Sequence, residues 1–122
     1  MSLGRVTPIL RMFDISKARD FYLDFLGFRP AWEHRFAADA PLYMAVQRDG
    51  CELHLSEHHG DGTPGSAVRI AATHIDAFHA ELLAKNYGFM RPEVETQPWG
   101  LREMAVIDPF GNRLIFFEQA DT

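Results

Sequence analysis

The sequence predicts an α+β fold in which two tandem βαβββ modules form a curved-sheet trough. The chain of 122 residues has room for one domain, residues 1–122. Its motifs occur twice, since Gly27–Pro30 recurs as Gly88–Pro92 and Met44–Val46 recurs as Met104–Val106. The two segments begin 61 and 60 residues after their first copies, whereas chance matches would scatter in offset. The pattern therefore indicates an internal duplication, with modules at residues 4–60 and 66–122.

The first module is predicted to begin with a strand at Val6–Met12, followed by a helix. The helix has an apolar stripe, a candidate N-cap at Ser16 and a C-cap at Gly27. Three strands follow, the last two joined by a turn at Asp49-Gly50. Their predicted ranges are Arg29–Phe36, Tyr43–Arg48 and Cys51–Glu57.

The second module repeats this order after a turn-rich connection at Gly60–Gly65. Its helix ends before Gly88, which we expect to cap it with a positive φ as Gly27 does. Its four strands are predicted at Ala67–Thr73, Arg91–Thr96, Arg102–Asp108 and Arg113–Gln119.

Alternation along the strands predicts which face of each sheet is buried. Leu53 and Leu55 share one face of their strand, and Leu114 and Phe116 repeat them. These residues should pack against the helices. The opposite faces, which carry His54 in the first module, should line the trough, and that is where a binding site is expected.

Composition excludes several classes of function. The net charge is −5, which disfavours nucleic-acid binding because a phosphate backbone requires a basic surface. No apolar run approaches the length of a membrane span or forms a signal core. Cys51 is the single cysteine, so no internal disulfide can form and a cytoplasmic location is expected.

Two segments resemble the vicinal-oxygen-chelate, or glyoxalase/bleomycin-resistance, superfamily. They are Gln97–Glu103, which contains a Gln-Pro-Trp-Gly motif, and the turn Asp108–Asn112; the helix end Phe21–Phe28 also fits. Within that superfamily the sequence is most similar to the bleomycin-resistance proteins. This resemblance implies a homodimer that binds a flat aromatic drug in clefts at the subunit interface without changing it.

The resemblance also implies which residues contact the ligand. Trp99 matches the tryptophan of the family motif, and Trp32 and Phe36 fall near its other aromatic positions. His54 and Arg69 stand where drug-binding members carry aromatic residues. Rings at these positions could stack on a heteroaromatic ligand, and nearby carboxylates could attract a cationic tail. Trp99→Ala is then expected to weaken binding by about 2 kcal/mol or more.

The metal-dependent enzymes of the superfamily hold a divalent cation through His and Glu. The resemblance carries their ligand positions onto Thr7, His54, Ala67 and Ile115, of which His54 alone ligates well. We therefore expect no metal, no cofactor and no catalytic residue.

Three functions remain open from the sequence. The first is a bleomycin-resistance-like protein that sequesters a flat, cationic drug. The second is a metal-dependent lyase, glyoxalase or dioxygenase that uses His54. The third is a binding module for an unknown metabolite, for which the positive charge of Arg69 fits an anionic ligand.

Overall fold

The computed structural model describes residues 1–120, and the chain divides into two compact units, residues 1–64 and the part that begins at Gly65. Each unit holds one four-stranded sheet and one helical segment, which confirms the predicted α+β class and the βαβββ order. Within the described residues, no helix is long and apolar enough to cross a membrane.

In the first module the sheet order is β1-β4-β3-β2. Strand β1 runs parallel to β4, while the β2–β3 and β3–β4 pairs are antiparallel. This order makes β2 an edge strand and places β3 and β4 side by side in the centre. The elements are β1 (Ile9–Arg11), α1 (Ile15–Arg19), a π-helical continuation (Asp20–Phe25), β2 (Arg29–His34), β3 (Tyr43–Arg48) and β4 (Cys51–Ser56).

The second module repeats the topology with the order β5-β8-β7-β6. Here β5 is parallel to β8, and the other two pairs are antiparallel. The elements are β5 (Ala67–Ala71), α2 (Ile75–Ala84), β6 (Val94–Thr96), β7 (Leu101–Ile107) and β8 (Arg113–Gln119).

The predicted buried faces are confirmed in both sheets. Leu53 and Leu55 are buried on β4, and Leu114 and Phe116 are buried on β8. The ring of Phe116 meets Phe78 of α2 edge-on, with 5.0 Å between the ring centroids. The helix packs on this face. The alternate residues of the same strands point to the opposite face, because successive side chains of a strand alternate.

Two predictions at the ends of the first helix and strand are wrong. The N-cap of α1 is Asp14 rather than Ser16, and its carboxylate accepts a hydrogen bond from the Lys17 amide. The first strand is Ile9–Arg11, shorter than the predicted Val6–Met12, because only these residues pair with β4.

The prediction for the C-cap of the second helix is also wrong. Gly27 adopts the expected positive φ of 76°, whereas Gly88 does not adopt a positive φ. Asn86 takes the left-handed conformation after α2 instead, with φ 52°. Asparagine tolerates this conformation better than most residues, so the chain can reverse two residues before the glycine.

The start of α2 is fixed by a residue far away in sequence. Both oxygens of the Glu118 carboxylate on β8 accept hydrogen bonds from the His74 and Ile75 amides, at 2.6 and 3.0 Å. These amides have no partner within the helix because they lie at its N-terminus, where no preceding turn supplies a carbonyl. Glu118 therefore links α2 to the end of the sheet, which its position in the sequence did not indicate.

Candidate functional site: an aromatic pocket in the first module

The pocket begins with two parallel rings on β2 and β3. The rings of Trp32 and Tyr43 stack with a centroid distance of 5.7 Å and an interplanar angle of 9°. Trp32 pairs with Ala45, whose small buried side chain leaves room for an indole above it. A bulge between Pro30 and Trp32 sets the register of β2 against β3. An edge strand suits a proline, because the proline nitrogen donates no hydrogen bond.

His54 on β4 lies against both rings. Its imidazole meets Trp32 at 5.1 Å and Tyr43 at 5.2 Å, edge-on in each case. Its Nδ1 lies 2.6 Å from the Tyr43 hydroxyl, and its Nε2 lies 2.9 Å from Oε2 of Glu52. A chain of hydrogen bonds therefore runs from Glu52 through His54 to Tyr43.

A second aromatic group surrounds Phe36, just beyond the end of β2. Phe36 is 80% exposed, and its ring meets His34 and His58 edge-on at centroid distances of 4.7 and 5.9 Å. Trp32 and His34 are two residues apart on β2, so the alternation of the strand directs them to one side, and Phe36 beyond the strand packs against His34.

These groups line an open, solvent-exposed pocket with a volume of about 450 Å³, within the range of small-molecule sites. Its lining contains one carboxylate, Asp61, which accepts a hydrogen bond of 2.9 Å from the buried Ser56 hydroxyl. The residues around the cavity are Trp32, His34, Phe36, Tyr43, His58 and Asp61.

The loop that carries His58 and Asp61 approaches β1 closely. Ser56 also accepts a hydrogen bond from the His58 amide, at 3.0 Å. Gly62 has φ +67°, and a Cβ there would lie only 2.7 Å from the Ile9 carbonyl oxygen. Glycine is therefore required for the loop to lie in this position, which in turn places Asp61 beside the aromatic rings.

The electrostatic environment keeps Tyr43 protonated. Burial raises the pKa of the Tyr43 phenol, and the negative charges of Asp61 and Glu52 raise it further. A phenol in this state donates a hydrogen bond and does not act as a nucleophile at neutral pH. Of these two carboxylates, Asp61 lines the cavity, and its negative charge there favours a cation.

Trp99 and Arg69 form a separate cluster in the second module. Oε2 of Glu103 accepts hydrogen bonds from Trp99 Nε1 at 3.1 Å and from Arg69 Nη2 at 2.9 Å. The Arg69 guanidinium also lies over the Phe117 ring, 4.7 Å from its centroid. The hydrogen bond from Arg69, followed by that from Trp99, lowers the pKa of Glu103 against the opposing effect of desolvation.

The structure thus distributes the five residues predicted from the sequence over two clusters. Trp32, Phe36 and His54 meet in the first module, and Trp99 and Arg69 meet in the second. Their assignment to a ligand site remains a prediction.

Several residues of the pocket were not predicted from the sequence. His34 could have been identified because it alternates with Trp32 along β2. Tyr43 could have been identified because it lies on the same face of β3 as the strand partner of His54. His58 and Asp61 could not be found this way, because a loop has no periodicity and sequence features favoured a solvated segment there. The missed residues are His34, Tyr43, His58 and Asp61.

The residues at the metal positions of the superfamily's enzymes do not fit a metal site. Both nitrogens of His54 are engaged by Tyr43 and Glu52. The strand partner of His54 is Ile9, and that of Ile115 is Arg69, so a two-residue shift of β1 and β5 supplies no metal ligand. Throughout residues 1–120, no group of three or more His, Cys, Asp or Glu side chains could hold a metal ion.

Comparison with known proteins agrees with this fold. A family model described as glyoxalase superfamily protein matches residues 1–122. A sequence comparison with curated proteins finds no match.

Several solved structures share the architecture over nearly their whole length. The bleomycin-binding protein of Streptomyces verticillus, solved with copper(II)-bleomycin, is 28% identical with a TM-score of 0.71, covering 100% of this chain and 99% of its own. The bleomycin resistance determinant encoded on the transposon Tn5 is 24% identical with a TM-score of 0.74, covering 96% and 98%. TnmS3, an antibiotic binding protein from Streptomyces sp. CB03234, is 20% identical with a TM-score of 0.72, covering 98% and 99%.

Proposed function

Because the chain belongs to the glyoxalase superfamily, we propose that it is one of the members that bind a small molecule without transforming it. The proposed ligand is a flat, aromatic, cationic drug of the bleomycin class. Support comes from the similar structures, which include a bleomycin-binding protein and a protein described as antibiotic binding. Residues at the enzymes' metal positions are also unsuited to ligation, as described above.

The observation that carries the proposal is the pocket of the first module. Stacked rings of Trp32 and Tyr43 offer a flat surface, Phe36 extends it, and Asp61 supplies a negative charge. A planar heteroaromatic ligand gains about 0.5–1.5 kcal/mol for each ring pair beyond the area that it buries. A positive substituent gains further from the carboxylate and the ring faces.

The charge of Arg69 does not oppose this assignment. Sequence alone suggested that Arg69 would favour an anionic ligand, but its guanidinium is paired with Glu103 and packed on Phe117. The pair is close to neutral, so the second module gains little positive potential from Arg69. An anionic metabolite therefore has less support than a cation.

Sequestration needs no chemical step. The protein acts by stoichiometric capture, so its effect depends on affinity, in which each 1.4 kcal/mol corresponds to tenfold. Preassembled rings reduce the entropy lost when the ligand binds, because the side chains are already held by one another.

We further propose that the protein acts as a cytoplasmic homodimer, as the resemblance to bleomycin-resistance proteins implies. Sedimentation velocity at micromolar concentration should give the mass of two chains. A single species with the mass of one chain, 13.9 kDa, would contradict the dimer without affecting the pocket.

The function is tested by titrating metal-free bleomycin while following tryptophan fluorescence. The chain has two tryptophans, so Trp99→Phe leaves Trp32 as the sole reporter and Trp32→Phe leaves Trp99. We expect saturable quenching of Trp32 at about one drug per protomer. The proposed function would be contradicted if the fluorescence of the wild-type protein showed no saturable response at tens of micromolar drug and isothermal calorimetry detected no heat of binding.

A further inference from the structure

Tyr43 has the geometry of a ligand contact, although it was not among the residues predicted to bind the ligand. Its ring lines the cavity and stacks parallel to Trp32. It lies at the start of β3, where its strand partners are His34 on β2 and Ser56 on β4. Tyr43 therefore stands between the two ring groups of the pocket.

The hydrogen-bond chain below Tyr43 has one consistent arrangement of protons when the imidazole is neutral. The Glu52 carboxylate only accepts, so Nε2 of His54 must carry the hydrogen and donate it. Nδ1 is then the acceptor, and the Tyr43 hydroxyl donates to it across 2.6 Å. The raised pKa of Tyr43 is consistent with a phenol that keeps this proton.

We propose that Tyr43 contacts the ligand and that His54 and Glu52 are positioning residues that hold its ring parallel to Trp32. This inference rests on the proposed function, since it concerns the same pocket. Glu52 orients the imidazole, and the imidazole anchors the phenol. The side chain of His54 is 16% exposed, so the anchor is largely shielded from competing water.

The arrangement also restricts the class of ligand. The proton of Tyr43 and both nitrogens of His54 are already engaged, so this wall of the pocket offers ring faces rather than free hydrogen-bond donors. A sugar or a free carboxylate would find little to pair with there. A planar ring system whose positive charge reaches Asp61 fits both the wall and the loop.

The test uses thioflavin T, a flat benzothiazolium cation whose emission rises when it is held rigidly. Tyr43→Ala should weaken its binding by about tenfold or more, because half of the stacked surface is removed. Tyr43→Phe keeps the ring and removes the anchor, and should weaken binding by about threefold to fivefold. Tyr87→Phe removes a phenol hydroxyl elsewhere and serves as the matched control, with binding unchanged.

A double-mutant cycle separates positioning from general stability. His54→Leu should weaken thioflavin T binding about as much as Tyr43→Phe, and the double variant should lose little more than either alone. His54→Asn places an acceptor near the position of Nδ1 and should restore binding to within about twofold of wild type. Urea unfolding and circular dichroism of every variant identify those that do not fold.

The outcomes distinguish this inference from the proposed function. Normal binding by Tyr43→Ala alongside weakened binding by Trp32→Ala would overturn the contact role and leave the function standing. If the losses of affinity from Tyr43→Phe and His54→Leu multiply in the double variant, the two residues act independently and the positioning role is overturned. If the wild-type protein binds neither thioflavin T nor bleomycin saturably, both the function and this inference are wrong.

Discussion

The two modules share a backbone pattern but present different chemistry at the same four positions of the sheet. In the first module these positions hold Ile9, Tyr43, Glu52 and His54, and the repeat offset of 60 or 61 residues aligns them with Arg69, Glu103, Arg113 and Ile115. The strand registers agree, since Ile9 pairs with His54 and Arg69 pairs with Ile115.

The difference lies in which strands carry the polar contacts. In the first module the contacts run within β3 and β4, from Tyr43 through His54 to Glu52. In the second module they connect β5 with β7, from Arg69 to Glu103, while Ile115 between them is apolar. The buried face, which both sheets need, is thus alike in the two modules, whereas the opposite face differs. A pocket in one module therefore does not imply an equivalent pocket in the other.

The largest effect should come from the loop that completes the pocket of the first module. Gly62→Ala should reduce the free energy of unfolding by about 3 kcal/mol, because a Cβ would add a clash with the Ile9 carbonyl to the strain of a positive φ. Gly60→Ala is the matched control, since Gly60 also has a positive φ, +97°, but has no atom within 4 Å of its Cβ position. It should cost about 1 kcal/mol in urea unfolding. Equal losses in the two variants would show that the close approach to β1 is unimportant.

A comparison of the two tryptophans tests whether binding belongs to one module. Trp32→Ala should weaken bleomycin binding by about 2 kcal/mol, roughly thirtyfold, because it removes half of the stacked pair. Trp99 is 64% exposed and is held through its Nε1 by Glu103, so we expect a smaller loss from Trp99→Ala, about fivefold. Calorimetric titration measures both affinities. A loss at Trp99 as large as that at Trp32 would restore the expectation drawn from the family motif and show that the second module contributes equally.

The smallest effect concerns Glu118 and its repeat counterpart Glu57. Hydrogen bonds from Ile75 and then His74 lower the pKa of Glu118 in the folded state. The carboxylate therefore stabilises the fold above its unfolded pKa of about 4.3, and this stabilisation is lost as the pH falls through the lower folded pKa. Glu118→Gln should lower the urea midpoint at pH 7, and the difference from wild type should narrow below about pH 4.

Glu57→Gln is the comparison for that measurement. Glu57 Oε1 accepts a single hydrogen bond from the Leu42 amide, at 2.9 Å, whereas Glu118 uses both oxygens at a helix start. The midpoint of Glu57→Gln should therefore fall less. A gap between wild type and Glu118→Gln that stays constant from pH 7 to pH 3 would argue against a role for the charge.

Sequence periodicity predicted the parts of the fold that depend on local alternation. Leu53, Leu55 and His54 were assigned to the correct faces because a strand directs successive side chains to opposite sides. The strand Arg113–Gln119 has the predicted bounds, since a tight turn fixes its start. The sequence motifs predicted membership of the superfamily, and the family model confirms that prediction.

Features that depend on tertiary contacts were not predictable in this way. Asp14 rather than Ser16 caps α1, and Asn86 rather than Gly88 reverses the chain after α2, because several residues near each helix end could have served. The anchoring of Tyr43 by His54 joins two strands, so it requires the register of β3 and β4. The position of Asp61 depends on the packing of a loop against β1.

The connection between the modules, Gly60–Gly65, has a consequence for how such a gene could be rearranged. Its composition is typical of a flexible linker, the kind of segment at which circular permutation and domain insertion usually succeed. Yet it contains Asp61, the carboxylate of the cavity, and Gly62, whose backbone lies against Ile9. New termini placed at residues 60–62 would detach a wall of the pocket, whereas termini placed after Gly62 would leave that wall attached to the first module. The connection is thus part of the candidate pocket, and an exchange of modules would keep that pocket intact if the chain were joined after Gly62 rather than before it.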